Sequence, residues 1–302
     1  NGEERIEQSF IDGLQLRLRL ARPDESPRAG SVLIAHPVSC LSQPSLHGAV
    51  ILLTKMEKNG FVQGVVTNRL TGMTLSDVLT ERGKTLIPDD SGLRDHGVFT
   101  GGDVSTSELG ALHYDVSKRP MKAGDEDDAV DDDDEDADKS NQRQNSNSNS
   151  NSNISSSVVL SEMDHLLTLL SRGVIDPAEA KLVVGYAGWT IDQLNSELQR
   201  NVWFHALPAG VGLVEEQPLD ALVTCSQSMT SQPPERIQRA LWQAALNRLG
   251  SEFSNISELT SDHKRIWEYM ESVWKEQNEE LSRRLEEVME EEEAGSGDSD
   301  RD

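Results

Sequence analysis

The stretch "KLVVGYAGWTIDQLNSELQRNVWF", Lys181 to Phe204, decides how this chain is read. Its opening run, Lys181 to Ala187, has the apolar and β-branched content of a strand. "WTIDQLNSELQRN" then carries the marks of a helix. Thr190 can cap it, Gln193 completes a capping box, and Ile191, Leu194 and Leu198 form one apolar stripe. Gly185 and Gly188 supply the backbone freedom a strand needs to turn into a helix, which makes Gly185 to Trp189 a corner. Such a turn leaves the first helical N–H groups open to an anion. A second glycine corner, "FTGGDVS", follows a strand at Val98, and the two corners can face one crevice. Neither matches GxGxxG or GxxxxGK[ST]. Packing is therefore the favoured role for both, and Tyr186 and Trp189 read as core plugs rather than stacking platforms.

Outward from this stretch, "SVLIA", "AVILLT", "VQGVVTN", "GVFTGG", "LGALHYD", "VWFHA" and "ALVTC" read as strands. "GLQLRLRLARP" alternates Leu14, Leu16, Leu18 and Leu20 with polar residues, the pattern of a half-buried strand, although Phe10, Leu14 and Leu18 also fit a helix. "TLSDVLTERG" is a short helix capped by Thr74 and ended by Gly83. "VVLSEMDHLLTLLSRG" is a helix with Leu160 as staple, Ser161 as N-cap and Gly173 as stop. "PPERIQRALWQAALNRLG" is a third, with Ile237, Leu241, Ala244, Ala245 and Leu249 on its apolar face. From Ser261 a long acidic helix follows, with a stripe of Ile266, Met270, Val273, Gln277, Leu281, Leu285 and Val288. It also carries Trp267 and Trp274, and docking back onto the domain is the favoured use of two indoles. Self-association or a partner's groove comes second.

Charge separates the chain into parts. Asp125 to Lys139 holds eleven acids and one base (−10), and Lys275 to Asp302 holds twelve acids and four bases (−8), leaving −7 of the formal −25 for everything else. Residues 121–157, acidic and then Asn-Ser-rich, have almost nothing to bury and are expected to be disordered. The organisation that follows is an N-terminal arm (1–28), a domain over 29–257 interrupted by 121–157, and an acidic helix with a tail (258–302). The domain carries no basic cluster for phosphate contacts, so nucleic acid is disfavoured as a partner. No apolar run reaches the roughly 20 residues a bilayer span requires. Cys40 and Cys225 stand apart and read as free thiols.

Catalytic signatures are absent. His36, His47, His96, His113, His165, His205 and His263 form neither HxxxH nor HExxH, so no metal site is indicated. No GxSxG elbow occurs. Asp77 and Asp192 sit in first turns of helices, where the dipole explains them. No catalytic residue and no cofactor is assigned.

Five stretches resemble the YqgE/AlgH family, in its expected order. They are "GSVLIAHPV", then "GAVILLTKMEKNGFVQGVVTNRLTGMTLSDVL" with Gly-x-Val-x-Asn-Arg at Gly64 to Arg69, "VFTGGDV", "VVGYAGWTIDQLNSELQRNVWF" and "RALWQAALNRLGSEFSNIS". The resemblance covers about 29–115 and 158–257. It implies an α/β (α+β) domain whose branched, mostly antiparallel sheet folds into a pseudo-barrel with flanking helices. Trp-x-x-Asp-Gln-Leu at Trp189 to Leu194 is similar to the plant and algal form, which implies a plastid stroma, with the cytoplasm as the alternative. Asp103 and Leu70 stand where the family commonly has proline, which loosens two turns.

The function the resemblance and the residues together favour is a non-enzymatic binding or regulatory module acting through protein partners. The alternative is an enzyme or small-ligand binder with a crevice at the two glycine turns, lined by Asn68, Gly101, Gly102, Asp103, Gly185, Gly188 and Trp189. In the enzyme version His36 or His113 joins Asn68 and Asp103. A regulator of transcription, the label some bacterial relatives carry, ranks third. A coiled-coil homo-oligomer through the C-terminal helix is the remaining expectation.

Overall fold

A computed structural model describes residues 14–38, 46–79, 87, 92–118, 158–209, 217–225, 233–257 and 261–296. Cys40, Gly83, the 121–157 segment and the last six residues lie outside them. Among the described residues there are ten strands: β1 (Leu18–Leu20), β2 (Val32–Ala35), β3 (Val50–Met56), β4 (Phe61–Val66), β5 (Leu70–Thr74), β6 (Gly97–Thr100), β7 (Val104–Tyr114), β8 (Val158–Glu162), β9 (Ala180–Thr190) and β10 (Trp203–Pro208). The helices are α1 (Leu75–Val78), α2 (Met163–Ser171), α3 (Ile191–Gln199), α4 (Asp220–Val223), α5 (Pro234–Asn247), α6 (Ser251–Ser257) and α7 (Ser261–Ser296).

One strand organises the sheet. The ladder runs β1-β10-β2-β3-β4-β9-β6-β5, with β7 added on β9 and β8 on β7. The first half of β9 pairs with β6 through Leu182 to Val184 and with β7 from Ala180 onward, while Ala187 to Thr190 pair with β4. A strand with three partners branches the sheet. Among the described strands all pairings are antiparallel except β6 with β9. The molecule is thus an α+β fold on a branched, mostly antiparallel sheet.

Here the structure corrects the corner expected at Gly185 to Trp189. The chain does not turn there; it stays extended to Thr190, and α3 begins only at Ile191. Trp189 lies across from Val62, and that cross-strand apolar pair outweighs the local preference of glycine for a turn. Gly185 does bend the strand, at φ +72°, where it passes from the β6 and β7 side to the β4 side. Thr190 is the N-cap, its Oγ1 accepting from Gln193 N at 3.2 Å. The Gln193 side chain goes instead to Glu197, 3.0 Å away.

Other differences share a cause, tertiary pairing overriding local signals. Leu160 and Ser161 are not staple and cap but lie in β8, opposite Leu112 and Ala111, and Glu162 precedes α2. Gly173 does end that helix, at φ +66°. "ALVTC" is no strand: Ala221 to Val223 form buried α4, with Ala221 N donating to Gln15 O at 3.0 Å. Leu70 loosens no turn; it opens β5, is buried, and pairs with Phe99. Leu14, Leu16 and Leu18 are buried and Gln15 and Arg17 exposed, as the alternation predicts, but Leu20, the fourth leucine of the pattern, is exposed at the end of the short ladder Leu18–Leu20.

The sheet curls as a pseudo-barrel around α5. One apolar cluster joins Leu18, Val32, Val50, Leu70, Phe99 and Leu112 from six strands to Ile237, Leu241, Trp242 and Ala245 of α5. Trp242 Nε1 donates to Ala35 O at 2.8 Å and fixes the helix against β2. On the outer faces α3 packs Leu194 against Val62, Trp189 and Trp203, and α2 packs Leu166 and Leu169 against Val98, Ala111 and Leu182. The C-terminal helix α7 docks back on the body, with Trp267, Met270 and Trp274 buried. Its inward stripe is therefore set by the indoles, and Gln277 of the expected stripe is exposed.

Candidate functional site: a cleft beside the second glycine turn

The two glycine segments meet, back to back. A Cβ on Gly101 would overlap the Gly185 carbonyl, and one on Gly102 would overlap the backbone of Tyr186 and Ala187. At Gly185 a Cβ would lie 2.8 Å from Val104 O and 2.9 Å from Gly102 O. Gly101 N donates to Val184 O at 2.8 Å, and Gly101 O accepts from Val66 N at 2.7 Å. These glycines are spent on backbone approaching backbone, which no side chain permits. The helix start expected to attract an anion is partly closed as well. Ile191 N donates to Gly60 O at 2.8 Å, beside the Thr190 cap.

The Gly64 to Arg69 signature has structural employment throughout. A Cβ on Gly64 would sit 2.7 Å from Ile51 Cγ2 and 3.2 Å from the Trp189 ring, so Gly64 makes room for that indole. Asn68 is fully buried. Its Oδ1 accepts from Val50 N at 2.9 Å, and its Nδ2 donates to Gly48 O at 2.8 Å and Gln238 O at 2.9 Å. It is a clamp between β3 and α5, with its amide occupied. Arg69 donates to His47 O at 2.9 Å and lies 5.7 Å from the Trp274 ring centre. Trp189 is buried and donates Nε1 to Glu197 at 3.0 Å.

The enzyme constellation does not assemble. His36 packs on Phe204, ring centres 5.2 Å apart. His113 lies on β7: its Nδ1 donates to Tyr114 O at 2.8 Å, so Nε2 accepts from the Ser161 hydroxyl at 2.9 Å. Asp103 is exposed at the second glycine turn. Among the shifted groups, Lys181, Tyr114, Asp220 and Cys225 gather around α4 instead. Burial holds His47 and His205 at about 4, with Arg69 adding to the effect at His47. Burial also draws the Lys181 amine down to about 8; its Nζ donates to Thr67 O at 2.9 Å and Ala221 O at 3.3 Å, over the Phe99 ring. Tyr114 is pushed up by burial and then by Asp220. Among the described residues no group of three His, Cys, Asp or Glu side chains could hold a metal ion, and no helix is long and apolar enough to cross a membrane.

Two openings flank the glycine contact. A groove of about 510 Å³ is lined by Gly185, Tyr186, Gln63 and Glu108. A larger cleft of about 960 Å³ runs between the Gly102–Asp103 turn and α7. Arg69, Thr100 and Thr106 line its body side, and Trp274, Glu276, Glu280 and Arg283 its helix side. Of the residues read from the sequence, Gly102 and Asp103 line this cleft and Gly185 the other groove, while Asn68, Gly101, Gly188 and Trp189 line neither. The sequence reading missed Arg69, Thr106 and the whole helical wall. The signal for that wall was present in two tryptophans seven residues apart on a helix otherwise rich in acids.

Comparison with known proteins follows the same body. The family model described as AlgH-like matches residues 32–254. A UPF0301 protein of Xanthomonas euvesicatoria is 27% identical over 233 residues, 77% of this chain and 95% of that protein. A UPF0301 protein of Xanthomonas axonopodis pv. citri has the same identity and coverage. Among solved structures, the AlgH protein of Pseudomonas aeruginosa is similar at TM-score 0.44 and 21% identity, over 80% of this chain and 99% of that one. A Corynebacterium diphtheriae protein is similar at TM-score 0.44 and 15% identity, over 79% and 95%.

Proposed function

This chain belongs to the AlgH-like family, and from that premise we propose that it is a binding module acting through protein partners, received in the cleft beside the Gly102–Asp103 turn. The supporting observation is what remains after the family's signature residues are accounted for. Gly101, Gly102 and Gly185 press backbones together, and Asn68 and Trp189 are used up in internal hydrogen bonds. The cleft is the larger of the two openings, walled by carboxylates and guanidinium groups of both signs with the Trp274 indole among them. Charges of both signs rimming a less polar centre are the anatomy of a polypeptide site. The expected setting is the plastid stroma.

The test immobilises the full chain and a full-chain Thr106→Trp variant that fills the cleft, and offers both a stromal extract. Partners held by the native protein should be lost from the variant at equal thermal stability. Equal capture by both would move binding to another surface. A small molecule found by native mass spectrometry on the native protein and missing from the variant would favour the ligand-binding alternative.

A further inference from the structure

The family match ends at residue 254, before α7 begins, yet α7 lies on a face built by residues inside it. Trp267 and Trp274, seven residues apart, are each 2% exposed. Trp267 packs on Trp242, ring centres 5.3 Å apart, and on His47 at 4.7 Å. Gly48, at φ +61°, gives it room, because a Cβ there would run into the indole. Arg239 lies over Trp267 and pairs with Glu271, and Arg69 lies over Trp274. The body therefore offers two aromatic seats, each roofed by a guanidinium, with a carboxylate-binding position between them.

The present occupant fits these seats incompletely. His47 is 2% exposed, and neither of its ring nitrogens has a hydrogen-bond partner; the Trp267 indole N–H is also buried without an acceptor. Each such group costs roughly 1–3 kcal/mol relative to a satisfied one. An interface that carries three of them is held well below what its buried area could supply.

We infer that this face is a helix-receiving site, and that α7 is a tethered competitor for it. The partner is an amphipathic helix with two aromatic anchors seven residues apart, an acid between them to meet Arg239, and a hydrogen-bonding group aimed at His47 that α7 lacks. The tether gives α7 a high effective concentration, so only a helix that satisfies the unpartnered nitrogens displaces it. The assignment rests on the reading of the protein as a partner-binding module and adds a second receiving face, opened only when α7 and the cleft wall it forms move away.

The probe is a labelled synthetic peptide of residues 261–284 of this chain, followed by fluorescence anisotropy. It is titrated into the full chain, into a full-chain Glu271→Arg variant that repels Arg239, and into a full-chain Trp267→Ala/Trp274→Ala variant. Both variants should bind the peptide at least tenfold more tightly than the native chain, which holds its own helix in place. Equal binding to native and variant chains, or no binding to variants shown folded by circular dichroism, overturns the proposal. Dimerisation of the native chain by α7 exchange, seen by light scattering, also overturns it, because a second copy would then be the occupant. Glu271→Arg opens no cavity, so it remains informative should the double alanine variant fail to fold. Failure here leaves the cleft reading standing, since that is tested by Thr106→Trp with native partners and no added peptide.

Discussion

Helices α3 and α7 both meet the body through a pair of tryptophans and an acid, and they are finished differently. Beneath α3, Glu197 is buried and accepts from Trp189 at 3.0 Å, Trp203 at 2.7 Å and Gln193 at 3.0 Å. The two indoles cross edge to face, with centres 6.3 Å apart. Beneath α7, Glu271 is taken by Arg239 at the rim, and the Trp267 N–H and His47 nitrogens are left over. The buried aromatic surface is of one kind in both places. What separates a permanent wall from a replaceable cover is whether the polar atoms carried inward with the aromatic rings find partners.

The largest expected effect lies at the satisfied dock. Glu197→Ala strands two buried indole donors, and a loss of about 4 kcal/mol in urea unfolding is expected from two such orphans and lost packing. A loss below about 1 kcal/mol would erase the contrast between the docks.

Acid should act on the other dock. His47 is held at about 4 inside the fold against 6.5 in the open chain. Between those values the unfolded chain binds the proton more readily, so stability contributed by neutral His47 is present above pH 6.5 and is lost as pH falls through about 4. Up to about 3.5 kcal/mol is involved, at about 1.4 kcal/mol per unit. Tryptophan emission should therefore shift to the red over this window, and a His47→Gln variant should lack the transition. The positive groups facing His47 are Arg69 and, across Trp267, Arg239.

A smaller effect is expected of Trp267→Ala, about 2 kcal/mol or less, below the usual 3–5 kcal/mol for a core tryptophan because α7 leaves and the seat rehydrates. Hydrogen exchange should quicken along α7 and hold steady in β3, β4 and β9. Smallest of all, Glu271→Gln should cost about 0.5 kcal/mol, as a partly exposed ion pair does, seen as earlier proteolysis at the start of α7 with an unchanged melting temperature for the body.

The sequence carried β2, β3, β4 and α5 plainly, because runs such as Val50 to Leu53 and the Pro234 start have no competing local reading. It did not carry β8, where Leu160 and Ser161 obey helix-start rules until Leu112 and Ala111 arrive across the ladder. Nor did it carry the extension of β9, since glycine's preference for a bend is local and β4's demand for a partner is not. At the site, glycine positions were legible and their purpose was not, because what a missing side chain makes room for lies elsewhere in the chain. Asn68, Glu197 and Lys181 are polar residues whose carbonyl, indole and backbone partners are up to 170 positions away, at Gln238 in the case of Asn68. In α7, periodicity placed Ile266, Val273 and Gln277 inward, whereas the indoles took the seam and turned the helix toward themselves.

The central position of β9 also governs the order in which the molecule can be made. A ribosome delivers β4, which ends at Val66, long before β9 begins at Ala180. At about 5–20 residues per second, β4 waits on the order of ten seconds with its outer edge bare. The nascent sheet of β2, β3 and β4, rich in valine, isoleucine and leucine, has both edges bare for that interval, because β10, the other neighbour of β2, is made later still.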